Sequence, residues 1–336
     1  MRALFLMILA LGLTACDGCS GRASSQSMQP GVARPPATGP QGTPGAQAPS
    51  ARAPGITSAA PAAILPAEEH TWVYPESSVG LMHVVVSVPK RHQKQRFPVL
   101  IALHGRGEAL KGPARGARGW IDDYWLPRAI ERLHHPPLRS VDLLGFVEAQ
   151  RLAALNADLA KRPYQGLVVV CPYTPDIWHG GQPFSAAEPL TRFVVDELLP
   201  RVRRETPAIA TTAATGIDGV SLGGRAALLL GLGRPQAFGA VATLQPAFSS
   251  ADAPALATLA QQAKKQNPAL RVRLLTSLED YYLQSTRRIS EALRDAGVQN
   301  RLDVVPGPHD YDFNRGPGAY EMLMFHDRAL RGQPAP

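Results

Sequence analysis

Cysteine is scarce. The 336-residue chain has three, at positions 16, 19 and 171. Cys16 and Cys19 have two residues between them but sit at the extreme N-terminus, outside any stretch with a fold-like pattern. Cys171 ends the apolar run "GLVVVC" and reads as a small buried hydrophobe, which disfavours a bond to Cys19. No metal-binding spacing is built from these residues within the folded part, so no metal site is expected. After the first residues no run of about 18 apolar residues occurs, so no membrane-spanning helix is expected there. No fixed-period repeat occurs, which excludes solenoids and propellers. The formal net charge is +8, but the basic residues are scattered and mostly Arg. Only Arg201, Arg203 and Arg204 cluster, on a helical pattern, so the charge reads as background usage and no nucleic-acid partner is expected.

What is there begins with "MRALFLMILALGLTACDGC". One arginine precedes about a dozen apolar residues, too short a core to span a bilayer but suited to export. Leu13-Thr14-Ala15-Cys16 closes the segment, and this resembles a bacterial lipoprotein signal. The resemblance implies cleavage after residue 15, a lipid on Cys16, and a protein held at a membrane of the cell envelope, periplasmic or surface-exposed. Residues 16–66 are rich in Pro, Ala, Gly, Ser and Gln. Such a composition cannot bury enough surface to offset its ordering entropy, so it reads as a disordered tether.

From residue 67 the composition changes, and residues 67–332 read as one domain. "MHVVVSVP" (82–89), "FPVLIALHG" (97–105) and "GLVVVCPY" (166–173) are continuous apolar runs, as strands buried on both faces require. "ATTAATGID" is a weaker strand, and "LRVRLLTS" (270–277) and "RLDVVPG" (301–307) are two more. Helical patterns fall at 190–205, at "LGGRAALLLGLG", before Gly297, and near 318–331. Strands alternating with helices predict an α/β fold with a mostly parallel, doubly wound sheet and helices on both faces. Residues 108–165 exceed a simple crossover and predict either a cap over a pocket or extra packing.

In that architecture Gly219-Val220-Ser221-Leu222-Gly223 falls between a strand and a helix. This is the setting of a G-x-S-x-G nucleophile elbow, in which glycines relieve collisions around a strained serine. Ser221 is the candidate nucleophile, and the Leu222 N–H can face an oxyanion. A serine needs a base, and the base needs an orienting acid. Only His309 and His326 follow Ser221. His326 lies inside the last helical pattern, whereas His309 lies in "PGPHDYDF", directly after a strand, as a base requires. The acid follows the preceding strand in "LLTSLEDYY", with Asp280 favoured and Glu279 as the alternative. A second oxyanion donor is expected from "LHGRGE" (103–108): the N–H of Arg106, with Gly105 as fallback. His104 reads as loop structure. The loop "TPDIWHGG", with Trp178 and His179, is a further candidate for substrate contact.

These residues together, and most specifically those from 190 to 310, resemble the esterase family of α/β-hydrolases that includes esterase D, feruloyl esterases and enterochelin esterase-like proteins. The resemblance implies the α/β-hydrolase fold and carboxylic ester hydrolysis without a cofactor. It matches Ser221, Asp280 and His309 to the triad, and Leu222 and Arg106 to the oxyanion donors. The expected substrate is a small-molecule or polymer-linked ester. Tyr311 and Phe313 stand where relatives often have tryptophan, and residues 108–165 match no member, so substrate identity does not transfer. Two other readings keep the same fold: a peptidase or acyltransferase using the same triad, and a non-catalytic surface lipoprotein that binds a ligand.

Overall fold

The apolar runs pair into one eight-stranded sheet in the order β1-β2-β4-β3-β5-β6-β7-β8. The computed structural model describes residues 67–90, 95–176 and 184–336. The signal segment 1–15 with Cys16, the tether 16–66, and Trp178 and His179 lie outside the described residues. The strands are β1 (Ala67–Tyr74), β2 (Met82–Pro89), β3 (Val99–Leu103), β4 (Val168–Pro172), β5 (Thr215–Gly219), β6 (Ala240–Leu244), β7 (Arg271–Glu279) and β8 (Arg301–Pro308). β1 and β2 pair antiparallel, as do β2 and β4, and all other neighbours are parallel. β3, β4, β5 and β6 are buried along their whole length, which is why their sequences are apolar runs or small residues rather than alternating patterns.

Helices cover both faces. Between β3 and β4 come α1 (Arg106–Ala109), α2 (Gly112–Gly116), α3 (Leu126–His134) and α4 (Ala149–Lys161). Between β4 and β5, α5 (Glu188–Arg192) and α6 (Leu199–Glu205) are joined by a wider π-helical turn at Phe193–Leu198. Then follow α7 (Leu222–Gly233), α8 (Ala253–Gln266), α9 (Leu283–Asp295), the single turn α10 (Tyr311–Phe313) and α11 (Ala319–Ala329). Side-chain alternation on β3 divides the core. Val99, Ile101 and Leu103 face Phe193, Leu198, Leu228 and Ile289. Leu100 and Ala102 face Trp120, Leu133, Leu155 and Leu323.

This second core settles where residues 108–165 go. Trp120, Leu126, Ala129, Leu133, Leu155 and Leu159 are buried there with α11. The apolar stripes of the segment pack on that face of the sheet as a helical layer. α9 ends as its sequence predicts: Gly297 has φ +76°, and the N–H groups of Gly297 and Val298 reach back to Arg294 and Leu293. The basic group at 201–204 is engaged within the fold. The Arg201 guanidinium lies 4.4 Å from the Trp72 ring and 3.0 Å from Glu205, and Arg204 pairs with the same carboxylate. Among the described residues no helix is long and apolar enough to cross a membrane.

Candidate active site

Ser221 sits between β5 and α7 with φ +56° and ψ −115°. A residue with a side chain reaches that region only under strain, of order 1–3 kcal/mol. The surrounding hydrogen bonds hold it there. The Ser221 N–H donates to Leu244 O at 2.9 Å, and the Ser221 carbonyl accepts from Arg225 N at 2.9 Å and Ala247 N at 3.0 Å. The flanking glycines are required by space. A Cβ on Gly219 would lie 2.4 Å from Gly223 O, and one on Gly223 would lie 2.4 Å from Leu103 O and 2.5 Å from His104 O. The turn therefore brings the serine, the first turn of α7 and the loop after β3 into backbone contact.

Asp280 follows β7, whose pairing with β8 is irregular between Ser277 and Glu279. Its carboxylate is fully buried. Oδ1 accepts from His309 Nδ1 at 2.8 Å and from the Tyr282 N–H at 2.9 Å. Oδ2 accepts from Thr276 Oγ1 at 2.6 Å. An ionised carboxylate only accepts, so His309 carries its proton on Nδ1 when neutral, and Nε2 is left as the basic nitrogen. The imidazole is further fixed by the Tyr281 ring, 4.2 Å away and tilted by 32°, and by Tyr282 at 5.5 Å. Glu279, the alternative acid, is exposed and makes none of these contacts.

The loop after β3 is anchored by His104. Its Nδ1 donates to Gly105 O at 2.9 Å, and its Nε2 accepts the Thr174 N–H at 2.8 Å. Burial pushes the His104 pKa down to about 4, so it stays neutral and links two loops, as its place in the sequence suggested. One N–H of this loop is expected to serve an oxyanion, that of Arg106 or, as fallback, that of Gly105, and the structure separates the two. The Gly105 N–H donates to the Tyr124 hydroxyl at 3.2 Å, which removes the fallback donor. The N–H groups of Arg106 and Leu222 have no acceptor among the described residues. The Arg106 side chain points elsewhere and pairs with Asp176 at 2.9 Å.

A cavity of about 190 Å³ collects these parts. Ser221, His309, Gly105 and Arg106 line it, together with Tyr281, Tyr311, Tyr124, Glu108 and Asn314. His326 is not among the lining residues. It is fully buried, with Nε2 3.0 Å from Asp218 Oδ2, and packs against Gly216, where a Cβ would lie 2.5 Å from its Nδ1. Glu108 and Tyr124 fall within residues 108–165, the stretch expected to line a pocket, whereas sequence reasoning missed Asn314 as a lining residue. It also missed Gln245, at φ +45°, whose amide donates to Ser277 Oγ at 2.7 Å and to Pro308 O at 2.8 Å and so ties the ends of β7 and β8 beside His309. A positive φ at a buried glutamine is invisible in composition.

Comparison with known proteins bears on the same elements. Residues 167–314 match the family model described as "Putative esterase". No curated protein matches the chain. Among solved structures, a ferulic acid esterase is similar at 17% identity and TM-score 0.58, over 79% of this chain and 99% of that one. A fluorophosphonate-binding serine hydrolase of Staphylococcus aureus is similar at 13% identity and TM-score 0.55, over 78% and 99%. The S-formylglutathione hydrolase of Staphylococcus aureus is similar at 13% identity and TM-score 0.52, over 78% and 96%. The fold is that of the α/β-hydrolases. The segment that carries the elbow, Asp280 and His309 has the esterase-family pattern, and the combination is that of a carboxylic ester hydrolase.

Proposed function

We propose that this chain cleaves carboxylic esters through an acyl-enzyme on Ser221. His309 Nε2 takes the proton of Ser221 Oγ as the oxygen adds to the ester carbonyl, and returns it to the departing alcohol. Asp280 holds the Nδ1–H tautomer and faces the imidazolium that forms. The N–H groups of Arg106 and Leu222 stabilise the oxyanion, with the positive end of α7 beneath the serine. Water then repeats the sequence with His309 as base and releases the acid. The observation that carries this reading is the strained serine at the head of α7, sharing a cavity with a histidine already oriented by a buried carboxylate.

The test is labelling of the purified protein with a fluorophosphonate, beside Ser221→Ala and His309→Ala, with turnover of p-nitrophenyl acetate measured in parallel. Labelling and turnover that need both residues are expected. A folded protein that neither labels nor turns over any ester sinks the reading and leaves a binding module. The N-terminal reading is a separate proposal supported by Leu13-Thr14-Ala15-Cys16 alone: lipid on Cys16 holds the enzyme at a membrane of the cell envelope. Retention of Cys16→Ser in the detergent phase, equal to the wild type, would overturn it.

A further inference from the structure

One carboxylate in the cavity wall is not used by the steps above. Glu108 is 1% exposed, and both of its oxygens are engaged. The Tyr124 hydroxyl donates to Oε2, and the Tyr311 hydroxyl donates to Oε1 at 2.6 Å. Lys111 Nζ stands 3.6 Å from Oε1 and also pairs with Asp123 at 2.8 Å. The Glu108 stem is confined as well, since a Cβ on Gly119 would lie 2.4 Å from its Cγ. The two tyrosines belong to opposite sides of the chemistry. Tyr124 accepts the Gly105 N–H, in the loop that bears the Arg106 donor. Tyr311 begins α10, two residues after His309.

We propose that Glu108 is a positioning residue that sets the oxyanion donors relative to His309, acting through Tyr124 and Tyr311. The proposal rests on the serine-esterase reading. Hydrogen-bond direction gives the first argument. A carboxylate only accepts, so Tyr124 must turn its O–H toward Glu108 and present a lone pair to Gly105. That captures the Gly105 N–H and leaves Arg106 as the free donor of the loop. Topology gives the second. β3 and β8, which carry the donor loop and the His309 loop, are separated in the sheet by β5, β6 and β7. Strand pairing therefore does not fix the distance between the two loops. The Tyr124–Glu108–Tyr311 chain spans them directly, and the two rings pack at 5.8 Å. Energetics gives the third. Burying a carboxylate is costly, and a role in stability alone is served as well by apolar packing.

The test uses the purified full chain and the variants Glu108→Gln, Tyr124→Phe and Tyr311→Phe. Turnover of p-nitrophenyl acetate is compared with inhibition by a trifluoromethyl ketone. In that adduct the Ser221 oxygen bonds to the ketone carbon, the serine proton passes to His309, and the ketone oxygen becomes an oxyanion. Misplacing an oxyanion donor lowers kcat by about 10- to 100-fold, so Glu108→Gln is expected in that range with KM within about threefold. The inhibition constant of the ketone should rise in step with the fall in kcat/KM. Tyr311→Phe should move both quantities the same way by a smaller factor. The Glu108→Gln/Tyr124→Phe pair should lose no more than its larger member.

A kcat loss with unchanged ketone affinity would make the cluster merely structural and overturn the proposal. A change confined to KM would make it a substrate contact, with the same result. Variants indistinguishable from an active wild type would sink the positioning role and leave the esterase reading intact. A wild type that neither labels nor turns over ester would remove both. Should Glu108→Gln fail to fold by circular dichroism, Tyr311→Phe decides, since it removes one hydroxyl from a ring that is 37% exposed.

Discussion

Replacing Asp280 with asparagine isolates the electrostatic part of the proposed mechanism. Oδ1 faces two N–H donors, His309 Nδ1–H and Tyr282 N–H, whereas Oδ2 faces a hydroxyl that can also accept. The Asp280→Asn amide therefore settles with its carbonyl oxygen at the Oδ1 position and its NH₂ toward Thr276. The tautomer of His309 survives, and the negative charge is lost. An N···O distance of 2.8 Å puts the charge centres of carboxylate and imidazolium about 4 Å apart. At an effective dielectric constant of about 20 that attraction is about 4 kcal/mol. At 1.36 kcal/mol per tenfold, kcat/KM should fall by roughly 10³. The assay is p-nitrophenyl acetate turnover at pH 8, with circular dichroism to verify folding and Glu279→Gln alongside. Glu279 is exposed, so that variant should stay within about twofold of wild type. An Asp280→Asn enzyme within threefold of wild type, or equal losses at the two positions, would refute the assignment of the acid and the charge argument together.

Three further outcomes are expected. Gly223→Ala places a Cβ 2.4 Å from Leu103 O, so a urea titration should show a loss of about 1–3 kcal/mol. Its kcat should drop too, because the displaced carbonyls begin the donor loop. Burial lowers the His104 pKa from 6.5 to about 4, so the unfolded chain binds that proton more tightly and stability declines as pH falls from 6.5 toward 4. Between pH 7 and pH 5 the loss is about 2 kcal/mol, and His104→Asn should remove that component of the difference between urea midpoints at the two pH values. Arg273 is buried and bonds Asp303 and Glu321, each at 2.7 Å, while Arg301 and Arg151 also reach those carboxylates. Arg273→Met leaves each carboxylate one partner, and chemical denaturation should register about 3 kcal/mol of destabilisation, the lower end for a broken buried pair.

Much of the scaffold was legible because the sheet is buried on both faces. β2, β3 and β4 show as runs whose apolar character has no helical or alternating period. β6, "AVATL", did not. It is short and rich in Ala and Thr, and it is a strand because β5 and β7 flank it on both sides. β1 was missed because its alternating exposure carries few apolar residues. The elbow was legible through glycine spacing, since each glycine answers to a backbone atom under 2.5 Å from an added Cβ. His309 was legible by elimination and by its place after a strand. The choice between Asp280 and Glu279 was not, because it depends on the irregular pairing at the end of β7, which turns adjacent side chains to opposite environments. Glu108, Tyr124 and Tyr311 come from separated parts of the chain, and no local pattern marks them as partners.

The strand order has a consequence in time. β3 must slot between β4 and β5, although both are made after it. Ser221 leaves the ribosome before Asp280 and His309 exist, and its backbone is bent only once Leu244 and Ala247 have bonded to it. A partly made chain thus carries an ordinary, unreactive serine. Nucleophilicity is a property of the finished sheet, so recovery of fluorophosphonate labelling after dilution from urea should lag behind recovery of the far-ultraviolet signal.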